Sequence, residues 1–238
     1  MIFLLSSITP VILFLFLIYN KDSIKEPPGL LIKCFFGGFL SILITLFFDK
    51  ILRPFGNGFI TPFSRSVFEA FFQAGFPEEL SKMIILYWLV WKRKEFDQHY
   101  DGIIYAVFIS MGFALVENLF YVYNGGIDVA LMRALLAVPG HGFFAVVMGY
   151  YFSLAKFKEG PKKVEFMIKC LLVPVIMHGL YDFALMYAGN SSDNPLLAVM
   201  LMILFTIIVI RIWKLGLRKI ALHHQKDMLA AVNVMKTE

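Results

Sequence analysis

Apolar residues come in long blocks, not in the alternation of half-buried strands or the one-sided stripes of surface helices. The blocks lie at about 2–19, 30–48, 64–91, 103–123, 128–155, 165–188 and 195–214, and each is near or above the ~20 residues that cross a bilayer as a helix. They predict an all-α, polytopic transmembrane bundle of seven helices. The third block opens on a polar turn (Ser64, Arg65, Ser66) and contains Pro77, so a kink or break is expected there. The first block lacks the basic start and small-residue cleavage site of a signal peptide and reads as a retained helix. Residues 1–214 are expected to form one transmembrane domain, and 215–238 a basic cytoplasmic tail with at most a short surface helix.

The polar residues inside these blocks are the anomaly. Glu78, Glu79 and Lys82 interrupt the third, Glu117 and Asn118 the fourth, His141 the fifth, and His178 and Asp182 the sixth. A charge at the bilayer centre costs roughly 3 kcal/mol on insertion scales, so Glu78, Glu79, Lys82, Glu117 and Asp182 in isolation would cost about 15 kcal/mol. That is the whole stability of an ordinary domain. Such groups persist by meeting one another, a metal or water, which predicts one shared polar site.

Composition agrees with a membrane protein: of 238 residues, 59% are hydrophobic, 26 are Phe and only 16% are charged. The net charge of +5 does not indicate nucleic-acid binding, because the basic residues sit in short connections. Lys21, Lys25, Lys92, Arg93, Lys94, Lys156, Lys158, Lys162 and Lys163 mark alternate connections, and Arg218, Lys219, Lys226 and Lys236 mark the tail; the opposite connections hold only Lys50 and Arg53. The positive-inside rule then puts the N-terminus outside and the C-terminus in the cytoplasm. Counted at 1.5 Å per residue from the cytoplasmic ends, Glu79, Glu117, His141 and His178 all fall at a depth of about 18–22 Å. Cys34 and Cys170 lie in apolar stretches and read as packing residues.

Each motif has a chemical and a structural reading. Adjacent Glu78 and Glu79, with Lys82 one turn on, can supply one acid and one base, as hydrolysis needs; alternatively they are an ion pair that locks the helix. Glu117 is a ligand or second catalytic carboxylate, or else a proton-relay or helix-bridging group. His141 sits between Gly140 and Gly142, and Asp182 lies one turn beyond His178, where it can take the second ring N–H of a ligand or base. A His–Asp tie between helices is the plain alternative. Arg133 either binds a substrate carbonyl or carboxylate or snorkels to the headgroups, and snorkelling is the stronger reading. Glu69 is given no role, and His99, His223 and His224 read as solvated. A divalent metal held by His and Glu would offset the acidic excess and supply an activated water; protonation would serve instead. No His-Glu-x-x-His run is present, so any metal site is assembled from separate helices.

At these positions the chain resembles the PrsW family of intramembrane proteases, related to the type II CAAX prenyl endopeptidases. Glu78-Glu79-x-x-Lys82 and Phe113-x-x-x-Glu117 are similar to its first two motifs, and His141 and the His178–Asp182 turn to its later histidines. The runs Asp101-Gly102-Ile103-Ile104-Tyr105 and Gly112-Phe113-Ala114 are similar as well. CAAX enzymes carry a Glu-Glu-x-x-x-Arg and Phe-x-x-x-His pattern, so Lys82 and Glu117 favour the PrsW branch. The resemblance implies a multi-pass cell-membrane endopeptidase, either a metalloprotease or a glutamate-type enzyme. It would cut a single-span membrane protein such as an anti-sigma factor, within or just outside the lipid bilayer. Its catalytic residues would be Glu78, Glu79, Lys82, Glu117, His178 and Asp182, with Glu117, His141 and His178 as ligands of a metal such as zinc. Two other functions compete on the residues alone: a proton- or ion-coupled transporter, for which no inverted repeat is visible, and a non-catalytic binding protein on a protease scaffold.

Overall fold

The computed structural model describes residues 2–22, 24–190 and 194–235. Among them there is no strand, and every predicted block is helical. The order is α1 (Ile2–Asn20), α2 (Pro28–Leu52), α3 (Pro62–Phe68), α4 (Phe76–Val90), α5 (Asp101–Met132), α6 (Val138–Lys156), α7 (Gly160–Asn190) and α8 (Pro195–Met235). Four of the resulting segments (Pro28–Gly58, Asp101–Lys156, Gly160–Gly189 and Leu196–Leu229) are long and apolar enough to cross a membrane. The outer surface is apolar: Leu43, Phe47, Trp88, Phe120 and Leu196 are each more than half exposed, whereas Glu79, Lys82, Asn118, His141 and His178 are buried. That inversion of the usual soluble arrangement marks a helical membrane bundle.

Residues 101–156 run as helix throughout but do not form one rod. Gly126 has φ 76° and ψ −161°, a conformation open to glycine, and it folds the chain back. His141 thereby meets Glu117, which a straight helix would hold about 36 Å away.

Two further irregularities flank the polar region. The third block is not broken at Pro77. Instead Glu69–Gly75 winds as a π-helix, closed by the Phe76 N–H on the Phe71 carbonyl, and α4 then begins with Pro77 in its first turn. Arg133–Ala137 repeats the device, closed by the Val138 N–H on the Arg133 carbonyl, with Pro139 in the first turn of α6. Proline has no N–H to offer the fourth carbonyl back and its ring collides with it. A local i→i+5 turn relieves both problems without ending the helix.

α5 lies at the centre, packed on α1, α2, α4 and α6, while α6 also packs on α7 and α8. Glycines allow the closest approaches. A Cβ on Gly112 would lie 1.9 Å from the Phe35 carbonyl oxygen of α2, and one on Gly149 of α6 2.2 Å from the Gly102 carbonyl oxygen of α5. Close backbone contact of this kind is how helices associate where burial from water drives nothing. Cys34 and Cys170 are buried, unpaired thiols within this packing.

The tail departs from expectation. α8 continues without interruption past Trp213 to Met235, and the turns around His223 and Asp227 are packed against the body of the protein. His223 is fully buried with Nε2 on the Tyr150 carbonyl at 3.0 Å, so it is not solvated. Asp227 accepts the backbone N–H groups of His99 and Tyr100 at 2.9 and 2.8 Å, and its carboxylate lies 3.4 Å from His99 Nδ1. These two N–H groups precede α5, where no upstream carbonyl is available to them, and a carboxylate from another helix takes that place. His99 is therefore partnered as well, while His224 is exposed as predicted. Lys236 lies outside the described residues.

Candidate active site

The π-helix before α4 and the one before α6 deliver Glu78, Glu79 and Lys82 to one wall and His141 to the facing wall. α5 contributes Glu117 and α7 contributes His178 and Asp182. Glu78, Glu117, His141, His178 and Asp182 line a cavity of about 250 Å³ together with Arg133, and the buried Glu79 and Lys82 lie behind them.

Lys82 is the hub. Its ammonium donates to Glu79 Oε1 at 2.9 Å and Glu78 Oε2 at 3.3 Å, lies 3.3 Å from His141 Nδ1, and stands 4.1 Å from the Phe113 ring centroid. Only 1% of its side chain is exposed. A buried ammonium is tolerable with two carboxylates and an aromatic face around it. Glu79 is as deeply buried; its Oε1 also faces His178 Nδ1 at 3.0 Å, and its Oε2 has no hydrogen-bond partner. Glu78 is less enclosed and borders the cavity.

The two histidines are held differently. His141 Nε2 lies 2.8 Å from Glu117 Oε2. A carboxylate can only accept, so Nε2 carries the proton, and Nδ1 presents its lone pair to the Lys82 side. The His141 carbonyl accepts from Ser110 Oγ at 3.0 Å, tying α6 to α5. His178 has a carboxylate at each nitrogen: Glu79 at Nδ1, and Asp182 Oδ2 at 3.3 Å from Nε2, the contact the i, i+4 spacing predicts. Phe144 stacks on the His178 ring at 4.9 Å.

Arg133 corrects the snorkelling reading. Its guanidinium donates to Glu117 Oε2 at 2.7 Å and to Asn118 Oδ1 at 2.9 Å, and lies 4.3 Å from the Tyr121 ring centroid. Asn118 in turn donates to the Ser7 carbonyl at 3.0 Å. The cation faces inward because Glu117 would otherwise be a partly buried anion with only a neutral imidazole beside it. The sequence signal was there: Arg133 lies two turns before His141 in an apolar run. Phe144 gave no such signal, being one aromatic among many. Glu69, by contrast, pairs with Arg65 at 2.8 Å, away from the cavity.

The four groups whose ligand atoms all lie within 4.8 Å of one another are Glu78, Glu79, His141 and His178. Two imidazoles and two carboxylates suit a borderline divalent ion such as zinc. The unpartnered Glu79 Oε2 is a donor site of the kind such an ion takes, and the His141 Nδ1 lone pair, which now faces the Lys82 ammonium at 3.3 Å, is a second, so the residues fit one. Glu117 does not belong to this set, since the oxygen nearest the site is engaged with His141 and Arg133. Glu117 instead stands behind His141, the place that carboxylates behind metal-binding imidazoles take.

A family model described as "PrsW family intramembrane metalloprotease" matches residues 26–210. The chain belongs to this family. Curated relatives named Protease PrsW agree along most of its length. That of Oceanobacillus iheyensis is 36% identical over 207 residues, 87% of this chain and 93% of the relative. That of Clostridioides difficile is 36% identical over 233 residues, 94% and 93% of the two chains. That of Bacillus subtilis is 36% identical over 186 residues, 78% and 83%. No solved structure matches. This PrsW-family member is a membrane-embedded protease acting on a membrane protein, and its buried Glu–His cluster can bind a metal.

Proposed function

We propose that this protease hydrolyses its substrate at the cavity between α4, α5, α6 and α7, with Glu78 as general base. The observation that carries the reading is the meeting of Glu78, Glu79, Lys82, His141 and His178 beside a 250 Å³ cavity. Glu78 borders that cavity with its second oxygen uncommitted, whereas Glu79 is enclosed by Lys82 and His178. Glu78 takes a proton from water as the water oxygen bonds to the scissile carbonyl carbon. It returns that proton to the departing amine nitrogen when the C–N bond breaks. Arg133, on the cavity wall, faces the negative charge that develops on the carbonyl oxygen. Lys82 keeps two adjacent carboxylates together in a dry site, Glu117 holds His141 in its Nε2–H form, and Asp182 orients His178.

A divalent ion such as zinc would be held by His141, His178 and Glu79, with Glu78 adjacent, and would supply Lewis acidity and a more acidic water. The substrate we assign is a single-span protein of the anti-sigma class in the cell membrane. The family's reaction supports that assignment. Seven crossings, with the N-terminus outside, follow from the Lys and Arg alternation.

The test is purified protein with a single-span model substrate. Glu78→Gln, Glu79→Gln and His178→Ala should each lower the cleavage rate by about 10²–10⁴-fold, the usual range for removing an acid–base group. Retention of the wild-type elution profile would show that each variant is folded. Cleavage persisting in all three would overturn the assignment, and metal content measured alongside decides whether the ion is required.

A further inference from the structure

A cavity larger than the catalytic one lies elsewhere on α4. A groove of about 800 Å³ runs along the outer face of α4, floored by Leu80, Met83 and Ile84 and walled by Tyr87, Trp88 and Met167 of α7. At the end where α4 finishes, Trp91, Lys92 and Arg93 complete its lining. The volume falls within the roughly 300–1,000 Å³ typical of small-molecule sites. Its walls are exposed on the apolar exterior of the bundle, Trp88 by 70%.

The groove has two chemically distinct ends. Five α4 residues in successive turns make an apolar trough. At the other end the Tyr87 and Trp91 rings stack at 5.1 Å and 19°, and the cations gather around them. The Lys163 ammonium stands 5.2 Å from the Trp91 ring centroid. Arg93 donates its Nε to the Leu89 carbonyl at 3.2 Å, and its terminal nitrogens have no hydrogen-bond partner among the described residues. Neither Lys92 nor Arg93 has an ion-pair partner among the described residues. No acidic residue lines the groove. An occupant must therefore be an amphiphile with an extended apolar body and a negative head at the level of the Trp and Tyr rings. Those are the features of a bilayer phospholipid at its interface.

We propose that this groove is a binding site for an anionic phospholipid, its acyl chains along Leu80–Trp88 and its phosphate-bearing head on Lys92 and Arg93. The opposite face of the same α4 turns carries Glu79 and Lys82, so the lipid braces the helix that holds the catalytic carboxylates.

Two of the chain's three tryptophans, Trp88 and Trp91, line the site, so they report on it directly. Protein carrying Trp213→Phe is reconstituted into phosphatidylcholine vesicles. These contain a small equal fraction of brominated phosphatidylglycerol or brominated phosphatidylcholine, and tryptophan quenching is compared. The anionic probe should quench several-fold more than the zwitterionic one, and Lys92→Gln with Arg93→Gln should remove the preference. Arg218→Gln with Lys219→Gln, which discharges a different basic cluster, should leave it intact. Equal quenching by the two probes would overturn the proposal, as would a preference that survives the groove substitutions. So would one lost equally in the control pair, which would indicate diffuse surface attraction instead of a site. None of these readouts depends on proteolysis.

Discussion

At the scale of single residues, the site is a set of assignments made by neighbours. His141 cannot choose its tautomer, because Glu117 Oε2 is 2.8 Å from Nε2, and Glu117 cannot swing away, because Arg133 holds the same oxygen at 2.7 Å. Arg133 is in this respect a positioning residue. Arg133→Lys keeps the charge but loses the two-pronged grip on Glu117 and Asn118. We expect kcat to fall about tenfold in Arg133→Lys and nearer a hundredfold in Arg133→Met, the range for groups behind a ligand. KM should change less than kcat. The pH–rate profile should shift as the imidazole loses its fixed proton, which a merely structural cation would not cause. The carboxylates and histidines were legible in the sequence because a charge in lipid advertises itself. Arg133 was legible only as a charge, since a long side chain near a helix end reaches lipid headgroups as readily as an inward partner. That Glu78 and Glu79, and not Glu117, lie with the two histidines within 4.8 Å was not legible at all, because it turns on which oxygen faces which nitrogen.

At the scale of elements, hydrophobic blocks found the helices and missed how they are wound. Pro77 announced a disturbance, but the chain absorbs it one turn earlier, in Glu69–Gly75, and no residue pattern marks a π turn. The predicted gap at 124–127 is a single folded-back point at Gly126. Glycine positions carry more information than the blocks suggest, because they fix where helices touch. Gly112→Ala would put a methyl group 1.9 Å from the Phe35 carbonyl oxygen, a backbone atom that cannot rotate aside. Separating α2 from α5 should cost about 1–3 kcal/mol, as overpacking does, and lower the midpoint of thermal unfolding. Gly29→Ala on the same α2 meets nothing within 4 Å and should be close to neutral. Comparing the two unfolding curves tests whether the close approach, and not glycine content, stabilises the bundle.

At the scale of the whole molecule, the principal surprise is the last third of α8. Basic composition made residues 215–238 look like a detached surface segment, yet His223 and Asp227 are built into the body. The sequence could not show this, since a His and an Asp among lysines read as solvated until a partner 127 residues away is known. Asp227→Asn removes the charge and offers one acceptor where two N–H groups need one each. It should destabilise the start of α5 by about 1 kcal/mol, as loss of a cap does. Faster amide hydrogen exchange at His99 and Tyr100, with little change elsewhere, is the expected measurement. Since α5 also carries Glu117, the segment beyond Trp213 supports the site from a distance.

The two π turns have a mechanical meaning. Each holds one residue more than a regular helix would fit in the same length, and each stands directly upstream of a cavity-lining side chain, Glu78 in one case and His141 in the other. Rewinding either into ordinary α geometry would swivel everything downstream by about 100° and slide it by roughly 1.5 Å. The side chains around the cavity thus owe their register to two turns wound one residue looser than the helices they begin.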